Sequence, residues 1–157
     1  MEFASLTCSH CAEFNNNDYP AFKKRYIDTG KIQFIFRDVP TPPQNLAAAG
    51  AAIARCAPEG RGHALIDMMF KNQSEWMQKP EETLRSYAQL AGMSSADFDA
   101  CLGSETVRNE MTAAINRAIT VYKIDHTPTF YVDDTKVEYT NLKALSEVID
   151  ARLAGKK

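Results

Sequence analysis

Two cysteines three residues apart, in Cys8-Ser9-His10-Cys11, are the side chains of this sequence best suited to covalent chemistry. A thiol reacts as its thiolate, and disulfide exchange needs one sulfur that ionises easily and a second close enough to displace whatever the first captures. The first N–H groups of a helix point at the residue before them and stabilise negative charge there. A helix beginning at this motif puts Cys8 in that place and Cys11 one turn later, so Cys8 is the expected nucleophile and Cys11 the expected resolving thiol. His10 lies between them and adds a positive charge or a hydrogen bond near the Cys8 sulfur, which favours a couple that gives disulfides away. The same CxxC spacing is also half of many zinc centres, but a closed zinc site needs two more ligands, usually as a second close pair. Cys56, Cys101, His63 and His126 each stand alone in the sequence. Exchange chemistry is therefore the preferred reading, with no metal and no other cofactor expected.

The elements that must carry the pair follow from the patterning. Phe3 to Leu6 is short and apolar and runs straight into the motif, and a helical stretch then extends to about Tyr26, ended by Gly30. The cysteines thus fall at a strand-turn-helix junction. Pro20 lacks an N–H and its ring clashes one turn back, so a kink is expected there. Lys31 to Val39 alternates and is rich in Ile, Phe and Val, a strand pattern closed by Pro40-Thr41-Pro42-Pro43.

From Pro43 to about Tyr122 every periodic segment reads as helix. Leu46, Ala49, Ile53 and Cys56 form one apolar face before Pro58, and His63 to about Asn72 turns Leu65, Met68 and Met69 inward. Pro80 opens a third helix, Ser94 caps a short fourth, and Ser104 caps a fifth with Val107, Met111, Ile115, Ile119 and Tyr122 at helical spacing. Strands return at Thr129 to Val132 and Lys136 to Tyr139 around Asp133-Asp134-Thr135, followed by a helix from Leu142 to Leu153. This order specifies an α/β fold with a mixed four-stranded sheet, in which 1–42 and 123–157 form the sheet-bearing part and 43–122 an all-helical insertion. Trp76, Met68, Met69 and Phe70 are assigned to the core, Asn15-Asn16-Asn17-Asp18 to the solvated side of the first helix, and His63 to the surface.

With 157 residues, 45% apolar and 24% charged, the chain has the size and mixture of one domain carrying an insertion. A net charge of −2 lacks the basic excess that phosphate contacts require, so nucleic acid is not an expected partner. Asn45 to Ala54, the longest apolar stretch, is far shorter than the roughly 20 residues that cross a bilayer. Met1 to Leu6 shows neither the basic segment nor the long apolar run of a secretory signal. Four cysteines are too few for a disulfide-built scaffold, and the spacing of two of them points to chemistry instead.

The sequence resembles the DsbA-like family of bacterial disulfide oxidoreductases over essentially its whole length. The resemblance is carried by Phe3-Ala4-Ser5-Leu6-Thr7-Cys8-Ser9-His10-Cys11, by the helical insertion and by His126-Thr127-Pro128-Thr129-Phe130. It implies a thioredoxin-like fold and a protein disulfide oxidase that passes the Cys8-Cys11 disulfide to reduced or unfolded substrate proteins. It further implies residence in the periplasm and reoxidation by a quinone-linked membrane protein of DsbB type. By the same resemblance Pro128 is cis and faces the cysteines, and the backbone at Thr127 pairs with an extended substrate segment.

Glu2, six residues before Cys8, matches a buried acid of the family that moves protons during exchange. Burial would raise its pKa and let it take the proton of Cys11, whereas a residue at a frayed terminus would be exposed. Cys56 and Cys101, read from their helices alone, are buried thiols; similar proteins often carry cysteines at both places, which implies a bridge. The sequence departs from the family in three ways. Ser9 stands where proline is common, and His126 stands where glycine is frequent, either as a second basic neighbour of the site or as a solvated loop residue. The chain also starts within the strand leading to Cys8, without the additional strand usual in the family, and an exposed sheet edge invites pairing between chains. A disulfide isomerase or reductase of the same fold, and a non-enzymatic zinc-binding module, are the alternative functions.

Overall fold

In the computed structural model, which describes residues 1–155, the buried segment Glu2–Ala4 forms strand β1 inside a four-stranded sheet ordered β2-β1-β3-β4. Strand β2 (Phe36–Asp38) runs parallel to β1, with Ala4 opposite Asp38. Strand β3 (Thr129–Val132) is antiparallel to β1, with Phe3 opposite Thr129, and β4 (Thr135–Val137) is antiparallel to β3. The mixed α/β sheet read from the sequence is therefore present, although three of its strands, β1, β2 and β4, are shorter than their patterns suggest. An edge strand forms a ladder only where it has a neighbour, and β1 offers β2 three residues, so the alternating pattern from Lys31 is paired only from Phe36. Ile32 and Phe34 instead pack beside Phe22, Tyr26 and Phe130. Their apolar character records burial rather than pairing. Thr135 already faces Val132, which leaves Asp133-Asp134 as the turn, with Asp133 at φ 54, a left-handed conformation that Asp tolerates better than most residues.

The first helical run comprises α1 (Ser9–Glu13) and α2 (Tyr19–Phe22), each followed by a wider π-turn, at Phe14–Asp18 and Lys23–Ile27. The Tyr19 N–H reaches back to the Phe14 carbonyl, so the ladder changes step just before Pro20, which has no N–H to give. The run thus passes Pro20 through a π-turn rather than a simple kink. Of the polar stretch at 15–18, Asn17 is exposed, but Asn15 is buried with its amide donating to Asp67 at 3.0 Å, and the Asn16 amide donates to the Phe70 carbonyl at 3.2 Å. That side of the helix docks on the helical block.

Between β2 and β3 lie α3 (Gln44–Cys56), α4 (Gly62–Lys71), α5 (Gln73–Gln78), α6 (Pro80–Leu90), α7 (Ser95–Gly103) and α8 (Glu105–Thr120). Helix α3 is the hub, with α4, α6, α7 and α8 packed about its buried Ala47, Ala51, Ile53 and Ala54. Its small residues let neighbours approach closely. A Cβ at Gly50 would stand 2.9 Å from Leu6 Cδ1 and 3.0 Å from Met69 Sδ, so glycine there sets how near α3 comes to the chain just before Cys8. Ser94 caps α7 through a reciprocal pair with Asp97, and Ser104 caps α8. On α8 the buried positions are Met111 and Ala118, whereas Ile119 is 51% exposed.

Helix α5 has no counterpart in the sequence reading, because six residues are too few to show a period. Trp76 nevertheless fixes it: the ring is wholly buried and its N–H donates to the Met69 carbonyl at 2.9 Å. Cys56 at the end of α3 is joined to Cys101 on α7, with S–S 2.00 Å and Cα atoms 6.1 Å apart. Helix α9 (Leu142–Ala154) packs Leu145 and Ile149 against Phe14, Phe22, Tyr26 and Phe130. No helix among the described residues is long and apolar enough to cross a membrane.

Candidate active site

Because β1 and β3 are antiparallel, the end of one lies beside the start of the other, and the turn Leu6-Thr7-Cys8 faces the loop His126-Thr127-Pro128. Cys8 is the residue that caps α1: at φ −83 and ψ 121, its Sγ accepts the Cys11 N–H at 3.2 Å. The sulfur thus occupies the place that a serine oxygen takes at ordinary helix starts. The Thr127-Pro128 peptide bond is cis, and the Thr127 carbonyl accepts from the Cys8 thiol at 3.5 Å. Cys8 is half-buried and Cys11 wholly buried. Both cysteines are free thiols, and the Cys8 sulfur is tied to the Cys11 backbone and to the Thr127 carbonyl.

The Cys8 thiol is drawn down to about 6, first by a hydrogen bond from the Cys11 thiol and, against the cost of partial burial, by Thr127 and the N–H groups of Cys11 and His10. The Thr127 hydroxyl is itself buried without a formed hydrogen bond among the described residues, so its pull is that of a nearby dipole. Burial, together with the bond to Cys8, pushes the Cys11 thiol far up. One sulfur is therefore ready to carry charge while the other keeps its proton. His10 contributes through its backbone. Its ring is exposed, borders the cleft that Thr127 and Pro128 also line, and makes no hydrogen bond among the described residues, so of the two roles expected for it a hydrogen bond to the sulfur is not made.

Glu2 is 3% exposed, and burial raises its pKa to about 8, with the N-terminal ammonium opposing and Cys8 adding to the rise. Its Oε1 has no hydrogen-bond partner among the described residues. The carboxyl sits near enough for its charge to act on Cys11, so the site holds a neutral acid at pH 7. A carboxyl whose folded pKa lies above its unfolded value makes the fold less stable as pH rises from the lower value to the higher. Replacing Glu2 by Gln removes that slope. Between pH 5 and pH 7 the oxidised parent is expected to lose about 2 kcal/mol relative to Glu2→Gln. Thermal unfolding of both at the two pH values checks this, and a constant difference in midpoint would show that Glu2 titrates normally.

The His126 ring is exposed and lies between Asp125, 2.8 Å from Nδ1, and Glu138, 3.0 Å from Nε2. With His10, Asp18, Thr127, Pro128 and Tyr139 it borders a cleft of about 410 Å³. Behind the cysteine turn, the Thr7 hydroxyl donates to the Thr41 carbonyl at 2.8 Å and the Thr41 N–H donates to Ser5 Oγ at 3.0 Å. The sequence reading missed Gln73. Its Nε2 donates to the carbonyls of Leu6, at 2.9 Å, and Cys8, at 3.0 Å. No local signal marks it, since it opens the short α5 and lies more than sixty residues from the turn it touches. Among the described residues no three His, Cys, Asp or Glu side chains gather as a metal site, so Cys8 and Cys11 lack the partners a closed zinc centre requires.

A family model described as thioredoxin matches residues 1–151. The chain is 32% identical over 158 residues to a Rickettsia typhi protein named as a protein-disulfide oxidoreductase, covering 98% of this chain and 57% of that one. A Rickettsia bellii counterpart is 29% identical over 160 residues, covering 100% of this chain and 61% of the other. The chain thus spans about three fifths of the length of these relatives. Among solved structures, Wolbachia pipientis alpha-DsbA1 is 27% identical with a TM-score of 0.85, over 99% of this chain and 84% of that one. Oxidised BdbD from Bacillus subtilis is 20% identical with a TM-score of 0.83, over 98% and 85% of the two chains, a likeness of fold alone.

Proposed function

The chain belongs to the thioredoxin family, with a DsbA-like fold, and from that premise we propose that it is a protein disulfide oxidase that donates the Cys8-Cys11 disulfide to substrate proteins. In the oxidised protein a substrate thiolate attacks Cys8 Sγ, forming a mixed disulfide as the Cys8-Cys11 bond breaks. The bonding pair leaves on Cys11, whose sulfur takes a proton that the neutral Glu2 carboxyl can supply. A second substrate thiolate then attacks the substrate sulfur of the mixed disulfide, and Cys8 departs as thiolate. The substrate loses two electrons and the cysteine pair gains them.

The observation that carries this reading is the capping position of the Cys8 sulfur, with its pKa near 6, because a stable thiolate is a good leaving group in that last step. Substrate would lie as an extended segment against Thr127 and Pro128, beside the cleft that reaches His10 and Tyr139. The names of the relatives support the same chemistry. The periplasm suits it, since the Cys56-Cys101 bridge belongs where disulfides persist, and a quinone-linked membrane protein of DsbB type would restore the disulfide. The test sets oxidation of a reduced, unfolded model protein against reshuffling of scrambled ribonuclease. Rapid oxidation with slow reshuffling is expected; the reverse order would make the protein an isomerase, and neither activity without a strong reductant would make it a reductase.

A further inference from the structure

Gln73 ties the helical block to the turn that carries the reactive sulfur. Its amide nitrogen, with two N–H donors, meets the carbonyls of Leu6 at 2.9 Å and Cys8 at 3.0 Å, one on each side of Thr7. The Cys8 carbonyl also accepts the Ala12 N–H at 3.1 Å, the first rung of the helix ladder, so a group that fixes this carbonyl fixes how the helix begins. The orientation of the helix start in turn decides where the N–H groups of His10 and Cys11 point. Gln73 is itself held firmly. Trp76, on the same short α5, is wholly buried and bonded to the Met69 carbonyl, while Leu6 packs against the Gly50 side of α3.

We propose that Gln73 is a positioning residue for disulfide exchange, through which the helical block holds the Cys8 turn so that the His10 and Cys11 N–H groups stay on the sulfur. The inference rests on Cys8 being the exchange nucleophile. Gln73 touches neither substrate nor sulfur; it acts through two backbone carbonyls. Its loss therefore shows in the ionisation of Cys8 before it shows anywhere else.

The test follows the rate of alkylation of Cys8 by iodoacetamide against pH in the reduced parent, in Gln73→Met and in Gln73→Lys, with folding checked by near-ultraviolet circular dichroism. Methionine keeps the length and removes the donors; lysine restores donors that can reach both carbonyls. The parent profile is expected to turn over near pH 6. Gln73→Met should move that midpoint up by about half a unit or more, and Gln73→Lys should bring it back to the parent value or below. A folded Gln73→Met protein with the parent midpoint overturns the proposal, as does a folded Gln73→Lys protein whose midpoint is raised, a result that stays decisive if Gln73→Met does not fold. A parent midpoint at the value of an ordinary thiol would instead refute the reading of Cys8, whatever the variants do.

Discussion

Replacing Cys11 by alanine will leave a protein that captures substrate through Cys8 and holds it as a mixed disulfide, while replacing Cys8 by alanine will leave one that captures nothing. The contrast follows from the geometry. Cys8 is the half-buried sulfur at the helix cap, reachable by a partner, and Cys11 is sealed beneath it. Without Cys11 the mixed disulfide cannot be resolved from inside, and without Cys8 no accessible sulfur is left in the pair. Oxidation of a reduced model protein should fall by roughly 10³-fold or more in either variant, equivalent to about 4 kcal/mol of barrier. The Cys11 variant has a second consequence. The hydrogen bond from the Cys11 thiol is the largest of the influences that draw Cys8 down, so the remaining thiol should titrate higher than in the parent. Non-reducing electrophoresis after incubation with a disulfide-bearing peptide separates the two variants. A stable adduct on the Cys8→Ala protein would reverse the assigned roles.

Removing the Cys56-Cys101 bridge by a double substitution to alanine should cost far more stability than activity. The two residues are 45 apart in sequence, and cross-linking a loop of that size lowers the entropy of the unfolded chain by an amount worth about 4 kcal/mol. For a domain of this length that corresponds to a fall of roughly 8–16 °C in Tm, at 2–4 °C per kcal/mol. The bridge links α3 to α7, whereas the cysteine turn is held by Gln73 and by the Thr7-Thr41 contacts. Exchange by the surviving pair should therefore persist at temperatures where the variant stays folded. A loss under about 1 kcal/mol would mean that the helical block is already fixed by its packing around α3 and Trp76.

What the sequence made legible was local chemistry and strong periodicity. The strand-turn-helix junction, the caps at Ser94 and Ser104 and the mixed sheet all follow from signals within a few residues of one another. The strand lengths did not follow, because the extent of β2 is decided by β1 and not by the alternation in Lys31 to Val39. Asn15 looked solvent-facing by composition, and a π-turn placed it against Asp67. His10 illustrates the limit at the site itself: its position in the motif was evident, but that its backbone N–H lies on the sulfur emerges only from the first helical turn. Gln73 could not be found at all, since nothing near it in sequence anticipates a contact with Leu6 and Cys8.

The depressed Cys8 thiol also links redox state to stability. An acid whose folded pKa is below its unfolded value, about 8.5 for cysteine, stabilises the fold fully above that value and progressively less as pH falls through about 6. At pH 7, with allowance for solvent screening, the thiolate contributes about 1 kcal/mol to the reduced form, or roughly 20 mV toward an oxidising couple. The most direct test is to titrate the thiolate of the reduced protein by its ultraviolet absorbance, with Cys8→Ala as the blank. A transition centred near pH 6 is the predicted result. A transition near 8.5, the value of a free cysteine, would contradict the account.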